Sequence, residues 1–179
     1  MNGRSVKDLK IGDFGVISKT LTENDVYNYA GITGDFSWLH VNIEKARKGL
    51  FKERVVHGML TAGMVSAVLG TQVPGPGTIY VSQTLKFLKP VYFNDTVTAR
   101  AEVVKLDVER DRATLRTTVT NQRGEIVVDG EAVVIPPRPE HEPEHASASP
   151  AADQIRTAGS KARQVRSVGA RMKVRIAAR

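Results

Sequence analysis

Residues 55–70 read VVHGMLTAGMVSAVLG. From His57 to Val73 there is no Lys, Arg, Asp or Glu, and Met59, Leu60, Met64, Val65, Val68 and Leu69 leave no charged face on a helix drawn through them. A helix that is apolar all round must be enclosed, so the rest of the chain has to wrap it. The wrapping is legible downstream, where residues 78–89, 96–106, 112–121 and 125–135 alternate with period two and predict antiparallel strands, one face buried and one wet. Asn121-Gln122-Arg123-Gly124 supplies a turn between the last two, with Gly where a positive φ is needed.

Upstream of the helix, residues 13–21 predict an entry strand, and Thr22-Glu23-Asn24-Asp25 reads as the start of a short helix. Thr22 is placed as its N-cap, with Asp25 three residues on as in a capping box. Gly31 and Gly34 are expected to end that helix at about Ala30, residues 35–42 to form a loop, and residues 43–48 a second short polar helix. The result is an α+β fold, an antiparallel sheet wrapped around a long central apolar helix. A single curled sheet leaves an exposed edge, and pairing with a second copy, as a homodimer or higher homo-oligomer, is the natural remedy.

Composition sets the outer limits. A chain of 179 residues is sized for one domain with a real core, here residues 1–135, followed by a Pro-, Glu- and Ala-rich linker and basic tail, 136–179, expected to be disordered. The formal net charge of +7 belongs to that tail: residues 150–179 hold eight Lys or Arg against the single acid Asp153, and residues 1–149 balance 18 basic against 18 acidic side chains. The folded part therefore carries no electrostatic footprint for nucleic acid. There is no cysteine, hence no disulfide framework or thiolate metal site, and no metal is expected. The first residues, MNGRSVKDLKIGD, lack the apolar stretch of a signal peptide, and no apolar run approaches the ~18 residues of a membrane span, so a cytoplasmic protein is expected.

The chemistry is sought in residues 29–46, YAGITGDFSWLHVNIEKA, where Asp35 and His40 stand five residues apart. A carboxylate and an imidazole together can position a water, take a proton from it and return one, as reversible hydration of a double bond requires.

These residues resemble the MaoC-like hydratases of the hotdog superfamily, in particular the (R)-specific enoyl-CoA hydratases, over residues 8–135. The signature of that family is matched by Tyr29, Thr33, Gly34, Asp35, Leu39, His40 and Ala46. It is broken where Ser37-Trp38 replaces the family's Asn-Pro, which gives up a fixed φ and an orienting hydrogen bond. Residues 55–70 and the later PGPGTIYVSQTLKFLKPVYFNDTV are similar to the central helix and following strand of the family. The resemblance implies that Asp35 and His40 are the catalytic pair, that Gly58 donates a backbone N–H to the thioester oxygen, and that Ser66 supports the site. It implies water addition to a trans-2-enoyl-CoA to give the (R)-3-hydroxyacyl-CoA, with no cofactor beyond the coenzyme A of the substrate. Which of Asp35 and His40 is the base stays open.

Three other functions compete. Dehydration of an (R)-3-hydroxyacyl-ACP would use the same residues in reverse. Thioester hydrolysis on the same fold ranks behind it, and from another class comes a non-catalytic acyl-binding module tethered by the basic tail. Among neighbouring residues, His57 opens the apolar helix and is expected to pack or cap there. Trp38 reads equally as a lid over an acyl chain or as a packed aromatic. Pro74–Gly77, PGPG, is a plain turn, and Arg54, Lys86 and Lys89 are either solvated or in reach of the phosphates of coenzyme A.

Overall fold

The charge-free stretch does form a helix, and a sheet does curl over it. In the computed structural model, which describes residues 2–138, the chain runs β1 (Phe14–Thr20), α1 (Glu23–Thr33), α2 (Trp38–Val41), α3 (Ile43–Lys48), α4 (Gly58–Thr71), β2 (Ile79–Phe87), β3 (Thr96–Asp107), β4 (Arg112–Thr120) and β5 (Ile126–Ile135). The strands make one antiparallel sheet in the order β1-β3-β4-β5-β2. Val65, Val68 and Leu69 of α4 are buried with Val103, Leu115, Val119 and Val134 of the sheet in one core cluster. Along β3 and β4 buried residues alternate with more exposed ones, as period-two patterning requires. The linker and basic tail expected beyond residue 135 lie, from residue 139 on, outside the described residues.

Enclosure of α4 is one-sided, contrary to the expectation of a helix wrapped all round. Met59, Gly63, Ser66 and Gly70 are exposed along its length, the i, i+4, i+7, i+11 stripe that faces away from the sheet. The two sheet edges also differ. At β1 the side chain of Gln72 mimics a neighbouring strand, accepting from Val16 N–H at 2.8 Å and donating to Val16 O at 2.9 Å. At β2 Ile79, Tyr80, Val81 and Phe87 are all more than a third exposed, so the alternation in that segment does not translate into one wet and one dry face.

Two local boundaries depart from the sequence reading. α1 starts at the foreseen capping box, Thr22 Oγ1 accepting from Asp25 N–H and the Asp25 carboxylate accepting from Thr22 N–H at 2.8 Å, but it runs through Gly31 to Thr33. Gly in a helix interior is tolerated at a cost of ~1 kcal/mol against Ala, and the buried Val26 and Ala30 anchor this helix regardless. Gly34 is the residue that ends it, at φ 78°, donating its N–H to Ala30 O. Residues 35–42, expected as loop, contain the single turn α2, so His40 stands on a short helix and not on an irregular segment.

Candidate active site

Asp35 is fixed from both sides. Thr33 Oγ1 accepts from Asp35 N–H at 3.3 Å, and Asp35 Oδ1 accepts from Ser37 N–H at 3.1 Å, an Asx turn that starts α2. Ser37 is thus the N-cap of α2 and Trp38 its first residue. A helix's first N–H needs no intrahelical partner, which is why proline suits that position and why Trp38 can replace it at the loss only of a fixed φ. The Trp38 ring packs over Gly49, about 3.0 Å from where a Cβ there would lie, and lines neither of the hollows described below. It packs on one side only and is 43% exposed.

His40 is held by the extended segment that leads into α4. Val55 N–H donates to Leu39 O at 3.1 Å, and His40 Nδ1 lies 2.7 Å from Val55 O. A carbonyl oxygen only accepts, so Nδ1 carries the hydrogen and the neutral ring presents Nε2 as a bare lone pair. Burial pushes the His40 pKa below the usual imidazole value and the neighbouring His57 ring adds to this, while the Val55 bond and the Asp35 charge act the other way. A base free to accept a proton at neutral pH is the outcome.

His57, expected only to pack or cap, belongs to the site. Its ring stacks on His40 with centroids 3.8 Å apart, tilts against Tyr29 at 5.0 Å, and places Nε2 2.9 Å from Asp35 O and 3.9 Å from Asp35 Oδ2. It makes no side-chain cap bond to α4. Nothing in the spacing pointed to this contact, although a histidine at the start of a charge-free helix is a buried polar group that needs a partner from elsewhere.

Gly58 is the first residue of α4, where backbone N–H groups have no intrahelical acceptor. It lines a hollow of about 300 Å³ together with Tyr29, Thr33, Asp35, His40, His57, Met59 and Phe87. His40, Gly58 and Phe87 also line a second, more apolar hollow of about 300 Å³ walled by Phe51, Val55, Val56, Leu88, Val91 and Val128. A Cβ on Gly58 would lie 2.9 Å from the Phe87 ring, so glycine lets the ring close on the helix terminus. Asp35, His40 and Gly58 therefore meet in one place, as the sequence reading has them. Ser66 does not join them: it is exposed on α4, and eight residues of helix put it ~12 Å beyond Gly58.

Among the described residues, Asp35, His40 and His57 are also the group able to ligate a metal ion, offering one ligand atom each within 4.8 Å of one another. His40 Nδ1 and His57 Nε2 are committed to carbonyl oxygens, leaving His40 Nε2 and the carboxylate to meet a ligand. Of the cations weighed for phosphate contact, Arg54 is paired with Glu23 at 2.6 Å and lies over the Phe93 ring, and Lys89 is paired with Glu125 at 2.7 Å.

A sheet curled on one helix, with an acid and an imidazole at the helix N-terminus, has the architecture of a hotdog-fold hydro-lyase, and comparison with known proteins agrees. The MaoC like domain family matches residues 14–125. The chain is 48% identical to an (R)-specific enoyl-CoA hydratase of Rhodospirillum rubrum over 73% of its own length and 90% of that protein's. It is 43% identical to a 3-hydroxybutyryl-CoA dehydratase of Methylorubrum extorquens, over 75% of this chain and 85% of that one. The solved structure of the (R)-hydratase of Aeromonas caviae superposes with a TM-score of 0.71 at 40% identity, covering 73% of this chain and 99% of the other. The chain belongs to the MaoC-like domain family.

Proposed function

We propose that this protein is an (R)-specific enoyl-CoA hydratase that adds water reversibly to a trans-2-enoyl-CoA. The observation that carries the reading is the tautomer of His40: with Nδ1–H given to Val55 O, Nε2 is left as an acceptor in the hollow shared with the Asp35 carboxylate and the first N–H of α4. A water between the pair gives one proton to His40 Nε2 while its oxygen bonds to C3 of the enoyl group. Charge developing on the thioester oxygen is met by the Gly58 N–H and the positive end of α4. The proton held on His40 then goes to C2 on the same face, so the water is added in full and the imidazole is restored. Asp35 orients the water and stabilises the imidazolium while it lasts. The chemistry is acid–base throughout and calls for no cofactor beyond the coenzyme A of the substrate.

The more apolar hollow beside His40 and Gly58 suits the acyl chain. At about 300 Å³ it exceeds the ~150 Å³ cavity known to take a six-carbon benzene, which favours acyl groups longer than crotonyl as well as crotonyl itself. The relatives named above act, by their names, on CoA thioesters, which favours CoA over an acyl-carrier protein as the carrier. Two further features favour a homodimer: the open apolar edge of β2 and the uncovered stripe of α4. No helix among the described residues is long and apolar enough to cross a membrane.

Loss of the conjugated enoyl absorbance of crotonyl-CoA tests the reading. The intact protein is expected to turn over, and Asp35→Asn and His40→Ala each to lose ~10²–10⁴-fold in kcat. An intact protein inactive on short and medium enoyl-CoA, but active on the ACP-linked substrate, would transfer the assignment to the ACP dehydratase.

A further inference from the structure

The mechanism above leaves a buried imidazole unused. His57 is 2% exposed, its Nε2 faces a carbonyl that only accepts, and its Nδ1 is buried with no hydrogen-bond partner among the described residues. With Nε2–H given to Asp35 O, the neutral ring has its lone pair on Nδ1. Protonating that nitrogen would bury a second N–H without an acceptor and set a positive charge 3.8 Å from the face of His40. The same ring touches both members of the catalytic pair, the main chain of Asp35 through a hydrogen bond and the imidazole of His40 through its face.

We propose that His57 is a positioning residue: its ring pins the Asp35 loop to the start of α4 and, stacked on His40, covers one face of that ring and holds it in place as the proton acceptor. The inference rests on the hydratase reading for its kinetic consequences and on geometry alone for its structural ones. Val55 and His57, two residues apart, hold the pair from one short stretch of chain: Val55 O accepts from His40 Nδ1–H, and His57 Nε2–H donates to Asp35 O. The charged and titratable groups around the two rings are few. Asp35 comes from the loop after α1, Tyr29 from α1, and Lys89, which lines the apolar hollow with His40, follows β2 with its ammonium tied to Glu125. α4 contributes no charged side chain. Burial, to which the stacked His57 ring contributes by covering one face of His40, disfavours the His40 imidazolium, while the Val55 carbonyl and the Asp35 charge favour it.

The sign of the effect follows. If neutral His40 is the base, activity falls on the acid side as His40 takes up a proton, and in the intact protein that limb lies below the ordinary imidazole pKa of 6.5. Removing the His57 ring uncovers one face of His40 and relieves part of the burial that depresses its pKa, so the limb moves up in pH. His57→Gln keeps an N–H to reach Asp35 O and loses the ring; His57→Phe keeps the ring and loses the N–H.

The experiment is the pH–rate profile of crotonyl-CoA hydration for the full chain and both variants, with histidine titration by NMR in each. Expected are a kcat lower by about 10- to 100-fold in both variants, KM within about two-fold, and an acid limb shifted upward in His57→Gln. A partly unfolded variant would lose amplitude without moving the limb. In the intact protein at pH 8 the His57 resonances should be those of the Nε2–H tautomer, a result independent of any substrate. An Nδ1–H tautomer of His57, or a His57→Gln enzyme with unchanged kcat and profile, would overturn the proposal. An intact protein without turnover but with His57 as the Nε2–H tautomer would sink the hydratase reading and leave the positioning role standing.

Discussion

At the residue scale, the site is a set of single atoms delivered by backbone. Asp35 is set by Thr33 Oγ1 and Ser37 N–H, His40 by Val55 O, and the proposed oxyanion donor is the N–H of one residue, Gly58. That last role can be isolated. His57 has φ −57° and ψ 130°, a conformation compatible with a proline after it, and the first position of a helix accepts proline because its N–H has no intrahelical acceptor. Gly58→Pro is thus expected to fold and to lose ~10²–10³-fold in kcat. Gly58→Ala brings the same Cβ against Phe87 but retains the N–H, and should lose much less; the ratio of the two kcat values isolates the hydrogen bond. Asp35 and His40 were legible before the fold because acid, imidazole and glycines keep a spacing in one short segment. His57 was not, because its partners lie 22 and 17 residues away along the chain and meet it only through the crossing of α1 and α2 with the segment before α4.

At the scale of elements, α4 is one helix with two environments. Leu69 is 1% exposed among sheet residues, whereas Ser66, one turn back, faces outward. Leu69→Ala is expected to cost about 2–5 kcal/mol in urea unfolding, and Ser66→Ala less than about 0.5 kcal/mol in the monomer at low concentration. Equal effects would contradict the one-sided enclosure described here. The strands were readable to within two residues of their ends from period-two alternation in the sequence; that alternation carries through to burial along β3 and β4, which pack on α4, and not along β2. The prediction failed in kind only for residues 35–42, where the single turn α2 is too short to show a helical period and is held by Leu39 O and Asn42 contacts to its neighbours.

For the whole molecule, the two edges of the sheet decide association. Gln72 occupies the outward N–H and C=O of Val16, which closes that point of the β1 edge, while β2 stays open and apolar. A dimer across β2 predicts a solution mass of twice 19.5 kDa by sedimentation. Replacing Ile79 and Val81 together by Lys should reduce it to a single chain, since edge lysines oppose strand pairing. A wild-type monomer, or a double variant that still pairs, would discount the β2 edge as the interface. What could be read without coordinates was the set of local periodicities and one local motif: a charge-free helix, alternating strands, a capped entry helix, and an acid and an imidazole in one segment, all interactions of residues close in sequence. What needed the tertiary structure was everything that depends on crossing: the tautomer of His40, the capture of His57 by Asp35 O, the uncovered stripe of α4 and the free edge at β2. Hydrogen-bond partners and solvent shadows are set by distant segments brought together, and no local period encodes them.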